Sequence, residues 1–102
     1  ELLVWGNNLV DEDFAADGKN RLQREKDEGW DVSYQKESGN KWNVFSGSKG
    51  DRIRYTRSVA SCQGTQALHF RIEYPEAQKK DYDPVVKRLG KSLKAASVSN
   101  CL

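Results

Sequence analysis

Basic side chains at alternate positions of two predicted strands form the clearest chemical pattern in the chain. Arg52 and Arg54 stand two residues apart in one strand-like segment, as do His69 and Arg71 in the next. Because alternate residues of a strand point to the same side of a sheet, all four should share one face. Guanidinium groups at this spacing suit carboxylates or phosphates. We predict that the four bind an anionic ligand; the alternative is a solvated face with cross-strand pairing to Glu73.

Catalysis would need chemical partners that the sequence hardly supplies. His69 is the only histidine, and Cys62 could serve as its nucleophile only if the thiol were not held in a disulfide. Asp81 and Asp83 could act as a pair of carboxylates, although a role as helix cap already explains Asp83. The chain contains no glycine-rich phosphate loop and no nucleophile-elbow motif. We therefore predict that no residue is catalytic and that the protein is not an enzyme.

Metal and cofactor sites are equally weakly indicated. Asp11, Glu12 and Asp13 are the densest group of oxygen ligands, but a metal site needs a larger cluster of histidine, cysteine or carboxylate side chains. Carboxylates are also common at the start of a helix, where they cap free N–H groups and favour the positive end of the dipole. We expect this triplet to be a solvated helix start, and we predict no metal and no cofactor.

Cys62 and Cys101 are the only two cysteines, so a single pairing is open to them. They form no C-x-x-C motif of the kind that binds zinc or carries out redox exchange. Cys101 is the penultimate residue, where a disulfide would tie down a terminal segment. A Cys62–Cys101 disulfide implies an oxidising compartment, and we predict an extracytoplasmic protein, either periplasmic or secreted.

The elements that position these residues follow from the hydrophobic periodicity. An apolar strand at residues 2–5 ends at Gly6, and a helix capped by Asp11 or Asp13 follows, with Gly29 as its stop signal. From Trp30 the period changes to two, and turns at residues 38–40, 48–51 and 63–64 divide the segment into four strands. A last helix is predicted to begin with Asp83 as N-cap and Pro84 at its first position, with a short helical turn before it at residues 79–82. The order β-α-β-β-β-β-α predicts an α+β fold, a largely antiparallel sheet with two helices packed on it.

The length and charge of the chain restrict the kinds of protein it can be. The chain has 102 residues and a net charge of +2, which fits one domain over residues 1–102. Residues 1–40 carry a net charge of −5 and residues 41–102 carry +7. An overall charge this low disfavours a dedicated nucleic-acid binder. No apolar run approaches the roughly 18 residues of a membrane span.

The chain opens directly on a strand and contains no methionine. We expect that it lacks an upstream N-terminal portion, through cleavage or clipping. An inner strand left at the edge of a sheet invites pairing with another chain. We therefore predict a homodimer or a retained N-terminal peptide.

Several short segments carry a resemblance to a known group. The segment Gly-Ser-Lys-Gly-Asp-Arg-Ile-Arg-Tyr at residues 47–55 resembles a "G-x-x-G-D-R-I-x-Y" hairpin. The segments at residues 72–75, 82–89 and 92–93 resemble the ending of uncharacterised bacterial envelope or secreted domains. Those domains are similar in element order to the PsbP/DcrB type of α/β/α sandwich. The resemblance implies a sandwich truncated at its N-terminus and a binding or assembly role, with no catalytic motif to carry over.

These observations together predict a non-enzymatic extracytoplasmic binding or interaction module. The expected partner is an acidic protein surface or an anionic component of the cell envelope. One alternative is a secreted enzyme inhibitor or toxin-like factor that makes contact through the turn at residues 46–51. A weaker alternative is a small hydrolase built around His69.

Overall fold

A five-stranded antiparallel sheet forms the centre of the molecule. The computed structural model describes residues 1–10 and 12–99. Its main elements are β1 (Leu2–Asn8), α1 (Phe14–Asp27), β2 (Asp31–Ser38), β3 (Trp42–Lys49), β4 (Arg52–Ser61), β5 (Gln66–Pro75) and α2 (Lys79–Ser99). The strands lie in the order β1-β5-β4-β3-β2, so β2 to β5 form a meander and β1 returns beside β5. The α+β prediction and its element order are confirmed.

The first helix begins as its sequence indicates. The side chain of Asp13 accepts a hydrogen bond from the backbone N–H of Ala16 at 2.8 Å, which satisfies one of the donors that a helix start leaves free. Asp11, the alternative cap, lies outside the described residues. At the other end Gly29 adopts a positive φ of 95°, a conformation that favours glycine after a helix.

β1 is longer than its local sequence predicts. The Gly-Asn-Asn segment at residues 6–8 is typical of a turn, yet it continues the strand. Gly6 stands opposite Leu68 and Asn8 opposite Gln66 in the ladder with β5. Backbone hydrogen bonds to a neighbouring strand outweigh a weak local preference, since strand propensity depends strongly on tertiary context.

The second helix also differs from the prediction, because it begins at Lys79 rather than at Pro84. A short 3-10 helix, Glu76–Gln78, leads directly into it, and Pro84 lies inside the helix. Asp83 was expected to cap the helix, but its carboxylate pairs with Lys79 one turn earlier, at 3.3 Å. The prediction of Asp83 as the N-cap is therefore wrong.

α2 covers an apolar face of the sheet. Val59, Phe70, Ile72 and Tyr74 point to this face, and Leu93 of α2 completes the buried cluster. The helix packs mainly against β4 and β5, so it covers the same face of β2 and β3 less closely. This incomplete cover leaves room for the groove described below.

α1 lies on the opposite face, which is polar. Alternate residues of β4 and β5 point towards α1, among them Thr56, Ser58 and His69, all at most 2% exposed. Glu25 of α1 is 5% exposed and faces them. The two helix–sheet interfaces therefore differ in chemistry. The α2 interface is an apolar core, whereas the α1 interface combines buried Phe14 and Phe45 with a network of hydrogen bonds and ion pairs.

Candidate functional site

The predicted basic residues do share one face of the sheet. In the β4–β5 ladder Arg54 stands opposite Glu73, and His69 and Arg71 follow at alternate positions of β5. Arg52 lies two residues before Arg54 on the same side. The alternation of strand residues therefore predicts correctly that the four share one face.

Carboxylates from two elements neutralise these cations. Arg54 pairs with Glu25 of α1 at 2.9 Å and with Glu73 of β5 at 2.9 Å. Arg52 lies 3.0 Å from Glu73, and Arg71 lies 3.3 Å from Glu25. Burial alone would raise the pKa of Glu73, but hydrogen bonds from Arg54 and Arg52 outweigh it and hold that pKa below its usual range. The face thus carries its own counter-charges.

Tryptophan rings complete this network. The Arg54 guanidinium lies 4.3 Å from the centre of the Trp30 ring, within the range of a cation–π contact. Trp5 receives two such groups, Arg71 at 5.5 Å and Arg21 at 5.9 Å. Ion pairing and ring contact together give these arginines a structural role between α1 and the sheet. Ligand binding by this face stays a prediction that its internal pairing does not favour.

His69 is fully buried within the same interface. Its Nδ1 lies 2.6 Å from the hydroxyl of Ser58, and its Nε2 lies 2.6 Å from Oδ1 of Asn7. Because an amide oxygen can only accept, Nε2 carries the proton and Nδ1 accepts from the hydroxyl. Burial, with Arg21 and Arg71 nearby, lowers the pKa of His69 to about 4, so the ring is neutral at physiological pH.

The hydrogen-bond chain from Ser58 through His69 to Asn7 has the connectivity of a nucleophile, a base and an orienting group. The hydroxyl of Ser58 is nevertheless inaccessible, since the residue is 1% exposed. No substrate carbonyl can reach it while α1 covers the face. Both ring nitrogens are engaged, so His69 is also not a base for Cys62. The sequence signal that was missed is that Ser58 stands opposite His69 in the hairpin.

Cys62 lies in the short 3-10 turn Cys62–Gly64 that joins β4 to β5. Cys101 lies outside the described residues, so the Cys62–Cys101 disulfide stays a prediction. Within residues 1–10 and 12–99, no group of three or more histidine, cysteine or acidic side chains is arranged to hold a metal ion.

An open groove runs along the other face, beside α2. One part is a depression of about 450 Å³ that we call the aromatic end; Tyr34, Ile53, Tyr55 and Val86 are among its lining residues. Tyr34 is 44% exposed. Tyr74 lies at its floor, and burial, followed by Asp83 and Tyr55, raises the pKa of that phenol. Its hydroxyl therefore stays protonated and can donate a hydrogen bond.

The groove continues into a basic depression of about 290 Å³, which we call the basic end. It is lined by Arg57 of β4 and by Lys87, Lys91 and Lys94 of α2. Tyr55 and Val86 line both depressions, so the two ends lie side by side. We refer to the whole as the α2 groove.

The cations of the basic end have no counter-charge in the described part of the chain. None of the ion pairs there involves Arg57 or any of the three lysines. The Nε of Arg57 is buried and lacks a hydrogen-bond partner, and its nearest terminal nitrogen is a long 3.5 Å from the Tyr55 hydroxyl. The ring of Trp42 lies 5.3 Å from its guanidinium. The sequence pattern does not connect these lysines with Arg57, which is distant in the chain.

A further depression of about 440 Å³ lies between α1 and the β2–β3 hairpin, lined in part by Gly18, Leu22 and Asn43. Its rim carries both signs of charge, from Lys36 and Glu37. It therefore gives no indication of a ligand's charge, and neither does the aromatic end, which Lys79 lines together with Glu76 and Asp83. The basic end, by contrast, carries charges of a single sign.

Comparison with protein-family models, curated proteins and solved structures finds no match. The likeness to the PsbP/DcrB type accordingly stays a prediction. Neither helix combines, in the part of the chain described, the length and apolar character needed to cross a membrane.

Proposed function

We propose that the protein is a non-enzymatic binding module whose α2 groove takes an acidic segment of a partner protein. The observation that carries this proposal is the set of unneutralised cations at the basic end, directly beside an apolar and aromatic depression. By contrast, the four residues predicted from the sequence pair with Glu25 and Glu73 or are buried.

The charge of the ligand follows from the basic end. Arg57 and three lysines face one depression, and residues 84–99 include four basic and no acidic side chains. Like charges this close repel one another unless an anion lies between them. A guanidinium flanked by ammonium groups binds carboxylates or phosphates, since its parallel N–H groups match two oxygens of either group. Carboxylates are the anions that an unmodified peptide side chain supplies.

The remaining chemistry of the ligand follows from the aromatic end. Tyr34, Ile53 and Val86 offer apolar surface, while Tyr74 and the nearby serines offer hydroxyl groups. A peptide that places an apolar side chain here and acidic side chains at the basic end would satisfy both parts. Binding energy in such grooves is concentrated on one or two anchoring side chains.

A peptide fits this surface better than a lipid bilayer does. The cations lie around a depression rather than on a flat or convex surface. Over residues 79–97, the solvent-facing positions of α2 are occupied by polar residues such as Lys80, Arg88 and Ser92, and this stretch exposes no large apolar side chain to insert into lipid.

The other functions suggested by the sequence remain alternatives to this proposal. An inhibitor acting through residues 46–51 would use the β3–β4 turn, where Gly50 has a φ of 62°. A hydrolase built around His69 would need α1 to move, because Ser58 is buried. The extracytoplasmic location is likewise part of the proposal and depends on the cysteine pairing.

Fluorescence anisotropy with a labelled peptide tests the proposal. The probe contains leucine and phenylalanine followed by four glutamates; the control peptide carries glutamines in their place. We expect Lys87→Glu with Lys91→Glu to weaken binding more than about tenfold, because attraction becomes repulsion. The matched control is Lys19→Glu with Lys26→Glu on α1, which changes net charge equally and should leave affinity almost unaltered.

Three outcomes would contradict the proposal. One is equal binding of the glutamate and glutamine peptides, and another is an equal loss in both double variants. The third is co-sedimentation with phosphatidylglycerol vesicles without any peptide binding, which would make the basic end a membrane-contact surface instead.

A further inference from the structure

β1 has an unusual outer edge. One side of the strand pairs with β5, while its other side has no partner strand in residues 1–10 and 12–99. Leu2, Leu3 and Val4 are 46%, 44% and 65% exposed, and none of the seven residues of the strand is charged. The apolar side chains lie on both faces of the sheet, because neighbouring residues of a strand point to opposite sides. Leu3 points to the α1 face, and Leu2 and Val4 point to the α2 face.

The other edge strand, β2, shows how this fold protects an edge. It contains three charged residues, Asp31, Lys36 and Glu37. Its ladder with β3 is also irregular between Val32 and Tyr34. Charges and irregular pairing are the features by which natural sheets prevent edge-to-edge association. β1 has neither feature, so one edge of the sheet is protected against association and the other is not.

We infer that β1 is a dimerisation strand and that its occupant is β1 of a second copy of this chain, paired antiparallel about a two-fold axis perpendicular to the sheet. The register places Leu3 opposite Leu3 of the partner subunit. Leu2 then faces Val4 of the partner subunit, and the reciprocal pair forms beside it. This register brings the exposed apolar side chains of the strand together on each face, and it joins the two five-stranded sheets into one.

The same register adds one carboxylate to the charged network on the α1 face. It places Glu1 opposite Trp5 of the partner subunit, on the face that carries α1. Within each chain the guanidinium groups of Arg21 and Arg71 lie 5.9 and 5.5 Å from the Trp5 ring. A carboxylate delivered to this position joins a network in which Arg21 already pairs with Asp17 at 2.8 Å and Arg71 with Glu25 at 3.3 Å. Side chains directly opposite one another in an antiparallel pair stand about 5 Å apart, within reach of such contacts.

Sedimentation velocity over a range of protein concentrations tests the inference. The parent protein should dimerise, and Val4→Lys should weaken the dimer more than about tenfold, because it would bury a charge in the new interface. Since the Val4 side chain is largely exposed, the monomer should tolerate the change with an unaltered melting curve. Val10→Lys is the matched control: it makes the same substitution at an apolar side chain that is 81% exposed and lies outside the strand.

Cross-linking checks the register directly. In the proposed dimer the two copies of Leu3 meet at the axis, within the distance that a disulfide spans. Leu3→Cys should therefore give a covalent dimer on mild oxidation, whereas Val10→Cys should not. A monomeric parent at all concentrations, or a dimer that Val4→Lys leaves intact, would overturn the inference; equal cross-linking in both cysteine variants would overturn the register.

Discussion

Mild acidification should destabilise the protein through His69. The ring is fully buried between Ser58 and Asn7, and its pKa is lowered from 6.5 to about 4. The unfolded chain keeps the ordinary value, so between these two pKa values it binds a proton more readily than the folded protein does. The contribution of the neutral ring to stability is therefore complete above about pH 6.5 and falls as the pH drops towards 4.

The magnitude follows from the difference between the two pKa values. Each unit is worth about 1.4 kcal/mol, so the free energy of unfolding should fall by about 2 kcal/mol between pH 7 and pH 5. By pH 4 the loss from this one residue should reach about 3 kcal/mol. The free energy of unfolding of a small domain is only about 5–15 kcal/mol, so this loss is a large fraction of the total stability.

Urea denaturation at pH 7, 6 and 5 measures this loss. His69→Gln is the matched reference, because a glutamine amide can accept from Ser58 and donate to Asn7 but does not titrate. The parent midpoint should fall by about 1 M urea more than that of the variant over this range. Proton NMR adds a direct measurement, since a single histidine gives one unambiguous ring signal whose titration midpoint should lie near 4.

The reasoning would be refuted if the parent and His69→Gln lost stability in parallel between pH 7 and pH 5. An NMR midpoint near 6.5 in the folded protein would refute it independently. Titration of carboxylates such as Glu73 cannot produce the expected difference, because it occurs at lower pH and is common to both proteins.

Two further predictions concern stability. Arg54→Met should lower the free energy of unfolding by about 3–5 kcal/mol, because it removes a partner from the nearly buried Glu25. Arg52→Met should cost about 1 kcal/mol or less, since that side chain is 41% exposed; equal losses in chemical denaturation would contradict this ranking. If Cys62 and Cys101 form a disulfide, closing that loop should stabilise the fold by about 4 kcal/mol. A strong reductant should then lower the melting temperature by more than about 10 °C. An unchanged melting curve would contradict the disulfide.

Local patterns explain how far the sequence predicts this fold. Alternation and short turns give the strand order of the meander, and the Asp13 cap is visible in the sequence because capping is a local interaction. The same alternation places Arg54 and Arg71 on one face. The extension of β1 through residues 6–8 is not visible, because it depends on pairing with a strand almost sixty residues away.

The candidate site depends even more on tertiary structure. Glu25 follows the ordinary pattern of a polar helix residue, and nothing local indicates that it lies on the buried side of α1 and pairs with Arg54. Arg57 and Lys91 come from different elements, so their proximity becomes visible only when α2 packs on β4. Sequence patterns show which residues share a face, but not which face a helix covers or where counter-charges are missing.

The position of β1 has a consequence for the order in which the chain folds. Neighbouring strands of the meander are joined by short turns, whereas partners in the β1–β5 ladder are at least 58 residues apart in sequence. Closing so large a loop costs entropy that only the finished sheet can repay. We therefore expect the meander to form first and β1 to dock last. Asn7 arrives with β1, so His69 becomes fully hydrogen-bonded only in this final step, and it becomes the natural reporter of whether folding is complete.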